Sequence, residues 1–302
     1  MLVVLVSMLV FAATQVLPGD AASAILGRGA TPQAKALLRE QLGLNKPIPQ
    51  QYWNWASGLL HGDLGTTLAS GQPVTQFLSD RVVNTLVLAG VTLVLMIPLS
   101  LLLGVWAGIR RGRASDHVIS GLTLGAIALP EFVVATLLVA LFAVTWQWLP
   151  AISVVPPGAN PLADPASLVL PVATLLLVSL AFNIRMVRAG VAEAMSSDYV
   201  RMARLNGIPE GRVIRHHVLR NALAPTVQVI ALTVLWLVGG VVVVETVFAY
   251  PGMGQALVQS VSGRDIPVVQ AIAMLVAALY IVINVIADVV VVLLIPKLRT
   301  QA

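Results

Sequence analysis

Residues Glu193 to Pro225 read EAMSSDYVRMARLNGIPEGRVIRHHVLRNALAP, a polar, arginine-rich island between apolar runs long enough to cross a bilayer. A segment this charged cannot sit in hydrocarbon. It lies in water, on the face where Lys and Arg collect. The chain around it is 58% hydrophobic and only 10% charged, with a mean hydropathy of +0.92, so the rest belongs in the membrane. The net charge of +5 could suggest a nucleic-acid partner. Basic residues marking one membrane face account for it, and no nucleic acid is expected. There is no cysteine, which excludes disulfides, thiolate metal sites and a cysteine nucleophile.

The hydropathy pattern predicts an all-α, polytopic membrane protein with about six transmembrane helices. Residues 1–17 are almost wholly apolar and just long enough to span. A signal peptide is the alternative, but there is no basic leader and no clear small-x-small cleavage site before Pro18. Residues 18–80 are mixed and are expected to form an extracytoplasmic cap: LPGD as a turn, a short helix from Pro32 to near Gly43, and Tyr52, Trp53 and Trp55 at the lipid interface. The second span covers 82–109, with a kink expected at Pro98 and a close-packing face at Gly104 and Gly108. The third covers about 117–145, with Gly121 and Gly125 on another such face and a break at Pro130-Glu131. Trp146 and Trp148 mark its outer end, and a proline-rich loop follows. The fourth runs over about 168–190, the fifth over about 223–248 and the sixth over about 268–294, with AYPGMGQALVQSVSGRDIP as a loop between the last two.

Six spans put both termini on one side. Twelve of the eighteen Lys and Arg fall in three short segments, 110–113, 185–220 and 297–299. The other six are spread over longer stretches. The density rule therefore makes the first set, and both termini, cytoplasmic.

The polar island has internal order. Ser196 or Ser197 can cap a helix with Asp198 in its first turn. Tyr199, Met202, Ala203 and Asn206 fall on one helical face, with Arg201 and Arg204 off it. Gly207 is a natural stop, and Pro209 at the first helical position with Glu210 starts a second helix carrying Arg212, Arg215 and Arg220. Such a unit can dock into a groove on a cytosolic partner.

DYVRMARLNG followed by RHHVLRNALAP resembles the conserved cytoplasmic loop of ABC-importer permeases, specifically the dipeptide, oligopeptide and nickel branch, whose version reads DYVRTARAKG…RHALRNALLP. Against the general pattern of that family Gly207, Ala203 and Leu219 fit, while Arg201, His217 and Arg220 depart from it. The resemblance extends in order through LPGD (17–20), GDLGTT (62–67), VVVETVFAYPGMG (242–254) and NVIADVVVVLLIPKLR (284–299), and so covers essentially the whole chain. It implies one ABC-importer transmembrane domain over 1–302 in a prokaryotic plasma (inner) membrane, with 18–80 as its cap and 193–222 as its coupling loop. It implies that Ser197, Asp198, Tyr199, Arg201, Met202, Ala203, Arg204 and Gly207 form the element that couples to an ATPase. The implied partners are a second homologous permease, two cytosolic ATPase subunits and an extracytoplasmic substrate-binding protein. The solute implied first is a di- or oligopeptide, with nickel chelates, opines and other small polar solutes still open. Members begin with basic residues and a longer first span, so Met1 is expected to be an internal or trimmed start.

No GxxxxGK[ST] or dinucleotide fingerprint is present, so the chain is not expected to be an enzyme or to bind a cofactor; ATP and Mg would belong to partner subunits. His216 and His217 point to different sides of a helix, and no metal site is expected. Ionisable residues within spans are costly, which makes Glu131 and Glu245 candidates for the translocation pathway and Asp288 a structural candidate, all three facing the bundle interior. Arg185 and Arg188 read as snorkelling anchors. Two rival readings stand beside the importer: a proton-driven secondary transporter using Glu131 or Glu245, and a membrane scaffold that moves no solute.

Overall fold

The chain is described by a computed structural model over residues 2–16, 26, 30–41 and 45–294. The LPGD turn, Gly43, and Lys297 and Arg299 at the end of the last span lie outside these residues. Among them the structure is helical, with one isolated β-bridge between Thr66 and Pro73. Two compact units emerge, one built from Met1–Thr85, Val155–Ala159 and Pro251–Tyr280, the other from Leu86–Val154, Asn160–Tyr250 and Ile281–Ala302.

In the first unit, helix α1 (Leu2–Val16) rests on α3 (Ile48–Leu60). Phe11 meets Tyr52 edge-on at 5.5 Å and Trp55 at 5.7 Å, and the Ser7 and Tyr52 hydroxyls pair at 2.9 Å. The aromatic cluster expected at the interface is therefore divided. Tyr52 and Trp55 face α1, and Trp53 is exposed. Between these helices, α2 (Pro32–Gln41) opens where Thr31 Oγ1 accepts the Ala34 N–H at 3.3 Å. Fifteen residues of α1 extend ~22 Å, short of a ~30 Å hydrocarbon core.

GDLGTTLASGQP is a compact loop rather than a slack one. Gly62, Gly65 and Gly71 take positive φ there, and Asp63 Oδ1 accepts the Gly65 N–H at 2.8 Å. Asp265, itself buried, accepts the N–H groups of Leu68 and Ala69 on one oxygen at 3.0 and 3.3 Å. Asp265 belongs to the turn between α10 (Met253–Gly263) and α11 (Ile266–Leu294). The sequence reading takes this stretch as loop. Met253, Ala256 and Ser260 recur at i, i+3 and i+7 and are buried, which is the amphipathic signal it missed. Met253 and Ala256 pack with Val268, Ala271 and Ile272 of α11 and with Val74 and Leu78 at the start of α4 (Val74–Ile109). Each large side chain buried there contributes about 1.5–3 kcal/mol.

Helix α4 begins eight residues before the expected start of the second span and continues on both sides of Pro98. In the second unit it lies parallel to α7 (Pro165–Met195), with Gly104 against Val187 and Gly108 against Val191. A Cβ added at either glycine would fall 2.6 to 2.7 Å from the facing valine, so only glycine permits this approach. Gly121 and Gly125 have no such neighbour within 4 Å.

The third span is broken where expected, but by more than a kink. Helix α5 (Ala114–Ala128) and α6 (Glu131–Leu138), which continues as a π-helical turn over Val139–Thr145, meet at 102°. Pro130 caps α6 in extended geometry, as a residue without an N–H can. Trp146 and Trp148 stack at 4.6 Å beyond it. Helix α9 (Leu219–Val247) runs antiparallel to α7: Asn183 Nδ2 donates to Thr233 Oγ1 at 2.9 Å, and Gly190 meets the Ala222 carbonyl. The fifth span bends by 51° between Ala222 and Thr226. Among the described residues, α4, α7 and α11 are long and apolar enough to cross a membrane, and the number is five if each bent pair is one span. Asp288 on α11 is exposed, not interior: this chain's own described residues leave that face of the helix uncovered.

Candidate functional site

The polar island folds as two short helices clamped to the ends of two spans. Helix α7 stops at Met195, where the Ser196 hydroxyl donates to the Glu193 carbonyl and that of Ser197 to Ala194 at 2.6 Å. Ser197 has the extended dihedrals of an N-cap, and its carbonyl accepts the Arg201 N–H at 3.1 Å. Its hydroxyl is turned back to end α7 and does not cap α8 (Asp198–Leu205), contrary to the capping role expected of it. Asp198 lies in the first turn, at the positive end of the helix.

Helix α8 closes in the Schellman arrangement. Gly207, at φ 73°, donates to Arg204 O at 3.0 Å and Ile208 donates to Ala203 O at 3.2 Å. Ile208 then packs into a core of Val187, Val191, Val200, Ala203, Val213 and Val218. Pro209 is the N-cap of the next helical turn (Glu210–Arg212) and not its first residue, with its nitrogen outside the helix. A π-helical stretch over Val213–Val218 carries His216 and His217 and leads without a gap into α9. Across the glycine turn, Arg204 grips Glu210 with both arms, at 3.0 and 2.6 Å. The guanidinium holds the Glu210 carboxyl below its usual range. Both partners are solvated, so the pair contributes at most about 1 kcal/mol.

The helical face read from the sequence is divided by the fold. Ala203 is buried together with Val200, whereas Tyr199, Met202 and Leu205 are 42, 57 and 75% exposed. Those three recur at i, i+3 and i+6 and form an apolar stripe flanked by exposed Arg201 and Arg204. Leu205 was missed; the Tyr199–Met202 spacing already points to it. A hollow of about 560 Å³ opens beside the stripe between Ser196, Arg201, Arg204 and Leu205. This arrangement can receive a partner's groove and pass a push to α7 and α9 through the buried contacts of Val200 and Ala203.

Arg188 is not a snorkelling anchor. Its Nε and Nη2 both bond the carboxylate of Asp116 in the first turn of α5, with Nη2 at 2.8 Å. Gly112 N–H at 2.9 Å and Ser120 Oγ at 3.3 Å complete the carboxylate's shell. The first turn of α5 and the loop-proximal end of α7 are thereby locked together. Arg185 remains exposed.

The two carboxylates proposed for the pathway lie elsewhere. Glu131 starts α6 at the bend and is partly buried, with Oε1 lacking a hydrogen-bond partner. Glu245, near the end of α9, is fully buried, with Phe248 and Tyr250. Among the described residues no group of three or more His, Cys, Asp or Glu could hold a metal ion.

Comparison with known proteins identifies the family. Residues 100–300 match the family model described as binding-protein-dependent transport system inner membrane component, and residues 1–89 match that of its N-terminal part. The chain belongs to this family of transport permeases. It is 35% identical to a probable peptide ABC transporter permease of Sinorhizobium fredii and 37% identical to a putative peptide transport system permease of Brucella abortus. It is 36% identical to a glutathione transport system permease of Salmonella typhi. Each alignment covers 98% of this chain and 94% of the relative. The fold is similar to the inward-facing MetNI methionine ABC transporter, with a TM-score of 0.60 at 20% identity over 72% of this chain and 96% of that one. The protein is thus an all-α, multi-pass ABC-transporter permease, and the proton-driven alternative loses its ground.

Proposed function

We propose that this permease imports short peptides as one of two similar transmembrane subunits, driven by two cytosolic ATPases and fed by an extracytoplasmic binding protein. The observation that carries the coupling role is helix α8, anchored by buried Val200 and Ala203 while it presents Tyr199, Met202 and Leu205. Ser197, Asp198, Arg201, Arg204 and Gly207 shape and flank that stripe. Residues 193–222 act as the cytoplasmic coupling loop, residues 18–80 form the external cap, and both termini lie inside. ATP and Mg act in the partner subunits.

Closure of the ATPases would move α8 as a unit with α7 and α9, and ATP must then favour one facing state of the pathway over the other. Glu131 is the stronger pathway candidate, since one of its oxygens still lacks a hydrogen bond. Glu245 would need a rearrangement to be reached. The peptide assignment draws on the relatives named above. The test is ATP-dependent uptake of labelled di- and tripeptides into proteoliposomes holding the whole assembly. Uptake that requires both ATP and the binding protein supports the reading. Uptake by the purified chain alone under a proton gradient overturns it.

A further inference from the structure

The exposed apolar residues of α4 form a row. Leu95, Leu99, Leu102 and Trp106 recur at i, i+4, i+7 and i+11, and Arg110, just past the helix end, continues the row. The row lies on the side away from Gly104 and Gly108, the face that packs against α7. From Leu95 to Trp106 the helix rises ~16 Å, close to the ~15 Å depth of one leaflet's hydrocarbon. From Trp106 to Arg110 it rises a further ~6 Å, within the ~5–7 Å of one headgroup layer. Tryptophan is enriched where those two layers meet. The row therefore matches one phospholipid in length, with its charge at the headgroup end.

That end is basic and ordered. The Arg110 guanidinium lies 3.8 Å over the Trp106 ring, a contact that uses its face and not its N–H edge. Arg111 and Arg113 follow, both exposed, around Gly112 at φ 79°. The acid nearest in sequence, Asp116, is already engaged by Arg188, and it also accepts the Gly112 N–H at 2.9 Å, which fixes the turn. Among the described residues, Arg110, Arg111 and Arg113 form no ion pair.

This combination selects the occupant. A soluble anion would satisfy the arginines and leave the apolar row uncovered. A neutral lipid would cover the row and leave the arginines without an anionic partner. A second copy of this chain would bring the same charges to the same level, where they repel. We infer that this side of α4, with the turn that follows it, binds an anionic phospholipid, whose phosphate is held by Arg110, Arg111 and Arg113 and one of whose acyl chains lies along Leu102, Leu99 and Leu95. Polybasic segments beside a span attract anionic lipids by the same electrostatics. The site is independent of which solute the assembly carries.

The chain has no cysteine, and Leu102 is 67% exposed, so Leu102→Cys gives a unique labelling site in the middle of the row. The whole transporter, built on a partner background without reactive thiols, carries a bimane there in nanodiscs. The nanodiscs hold phosphatidylcholine with a small fraction of lipid bearing a nitroxide on one acyl chain, which quenches the dye. Nitroxide phosphatidylglycerol should quench about threefold more than nitroxide phosphatidylcholine at the same fraction. Joint replacement by Arg110→Gln, Arg111→Gln and Arg113→Gln should bring the two lipids level. Arg185→Gln, which removes an exposed charge of α7 outside the row, should leave the preference intact. If the triple variant does not assemble, Arg111→Gln and Arg113→Gln made singly should each weaken the preference. Equal quenching by the two lipids, or a preference that survives loss of the arginines, would overturn the inference. Quenching by neither lipid would show that protein covers Leu102 and would overturn it too. Loss of the preference on adding soluble glycerol phosphate would assign the arginines to a free anion, and the lipid site would fall.

Discussion

Asp116 and Arg188, 72 positions apart in sequence, form a doubly bonded ion pair in which Asp116 is 1% exposed. The pair ties the start of α5 to α7 one turn before the coupling loop. Arg188 keeps 29% of its side-chain surface exposed, so losing the carboxylate should cost about 1.5–3 kcal/mol. Asp116→Ala should therefore lower the thermal unfolding midpoint of the purified assembly sharply. Ser120→Ala, which removes a longer bond, should cost less than about 1.5 kcal/mol. Equal midpoints for the two variants would show that the pair does not hold α5.

The contact of Gly104 with Val187 leads to a second expectation. A methyl group at position 104 would meet Val187 at 2.6 Å, and the Ile184 carbonyl stands close behind. Gly104→Ala should cost about 1–3 kcal/mol through overpacking. Gly121→Ala, in open space, should be close to neutral. The double variant Gly104→Ala with Val187→Ala should recover part of the loss. A thermal melt of the three proteins decides it.

Much of this was legible in the sequence because it depends on local rules. Gly207 was read as a helix stop, and its positive φ with two reverse hydrogen bonds is what a glycine in that place allows. The break at Pro130 was equally readable, since proline cannot donate into the helix. What could not be read was pairing at a distance. Nothing near Arg188 announces Asp116, so the arginine looked like an interface anchor. Nothing near Asp265 announces Leu68 and Ala69. Helix α10 was missed for another reason: its apolar residues are spaced for a helix, but Gly, Ser and Gln between them dilute the signal. In the 198–206 helix the sequence misassigned which residues share a face, because burial of Ala203 depends on α7 and the stretch after Pro209.

At Gly207 the predicted order of substitutions is specific. A Cβ there would touch nothing, so the penalty is conformational: about 1–2 kcal/mol for an ordinary residue in the left-handed region. Asn tolerates that region better than Ala, and Pro cannot adopt it. Peptide-stimulated ATP hydrolysis should fall in the order Gly, Asn, Ala, Pro. Equal activity of Gly and Pro would remove the turn from the coupling path.

Asp265 makes a prediction about the loop it holds. Asp265→Ala removes the acceptor for two N–H groups and should speed amide hydrogen exchange at Leu68 and Ala69 at least tenfold. Asp265→Asn keeps an oxygen and should be intermediate. Unchanged exchange in the alanine variant would mean that the loop is held by its own turns.

The most direct test of the central claim is site-specific cross-linking from α8. With no native cysteine in the chain, Met202→Cys is unique and exposed, and Ala203→Cys one residue along is buried. With a thiol-to-amine cross-linker, the account predicts that Met202→Cys joins this chain to an ATPase subunit, that ATP alters the yield, and that Ala203→Cys gives little product. Cross-links from both positions alike, or no ATPase captured from Met202→Cys in an assembly that still imports peptides, would contradict it.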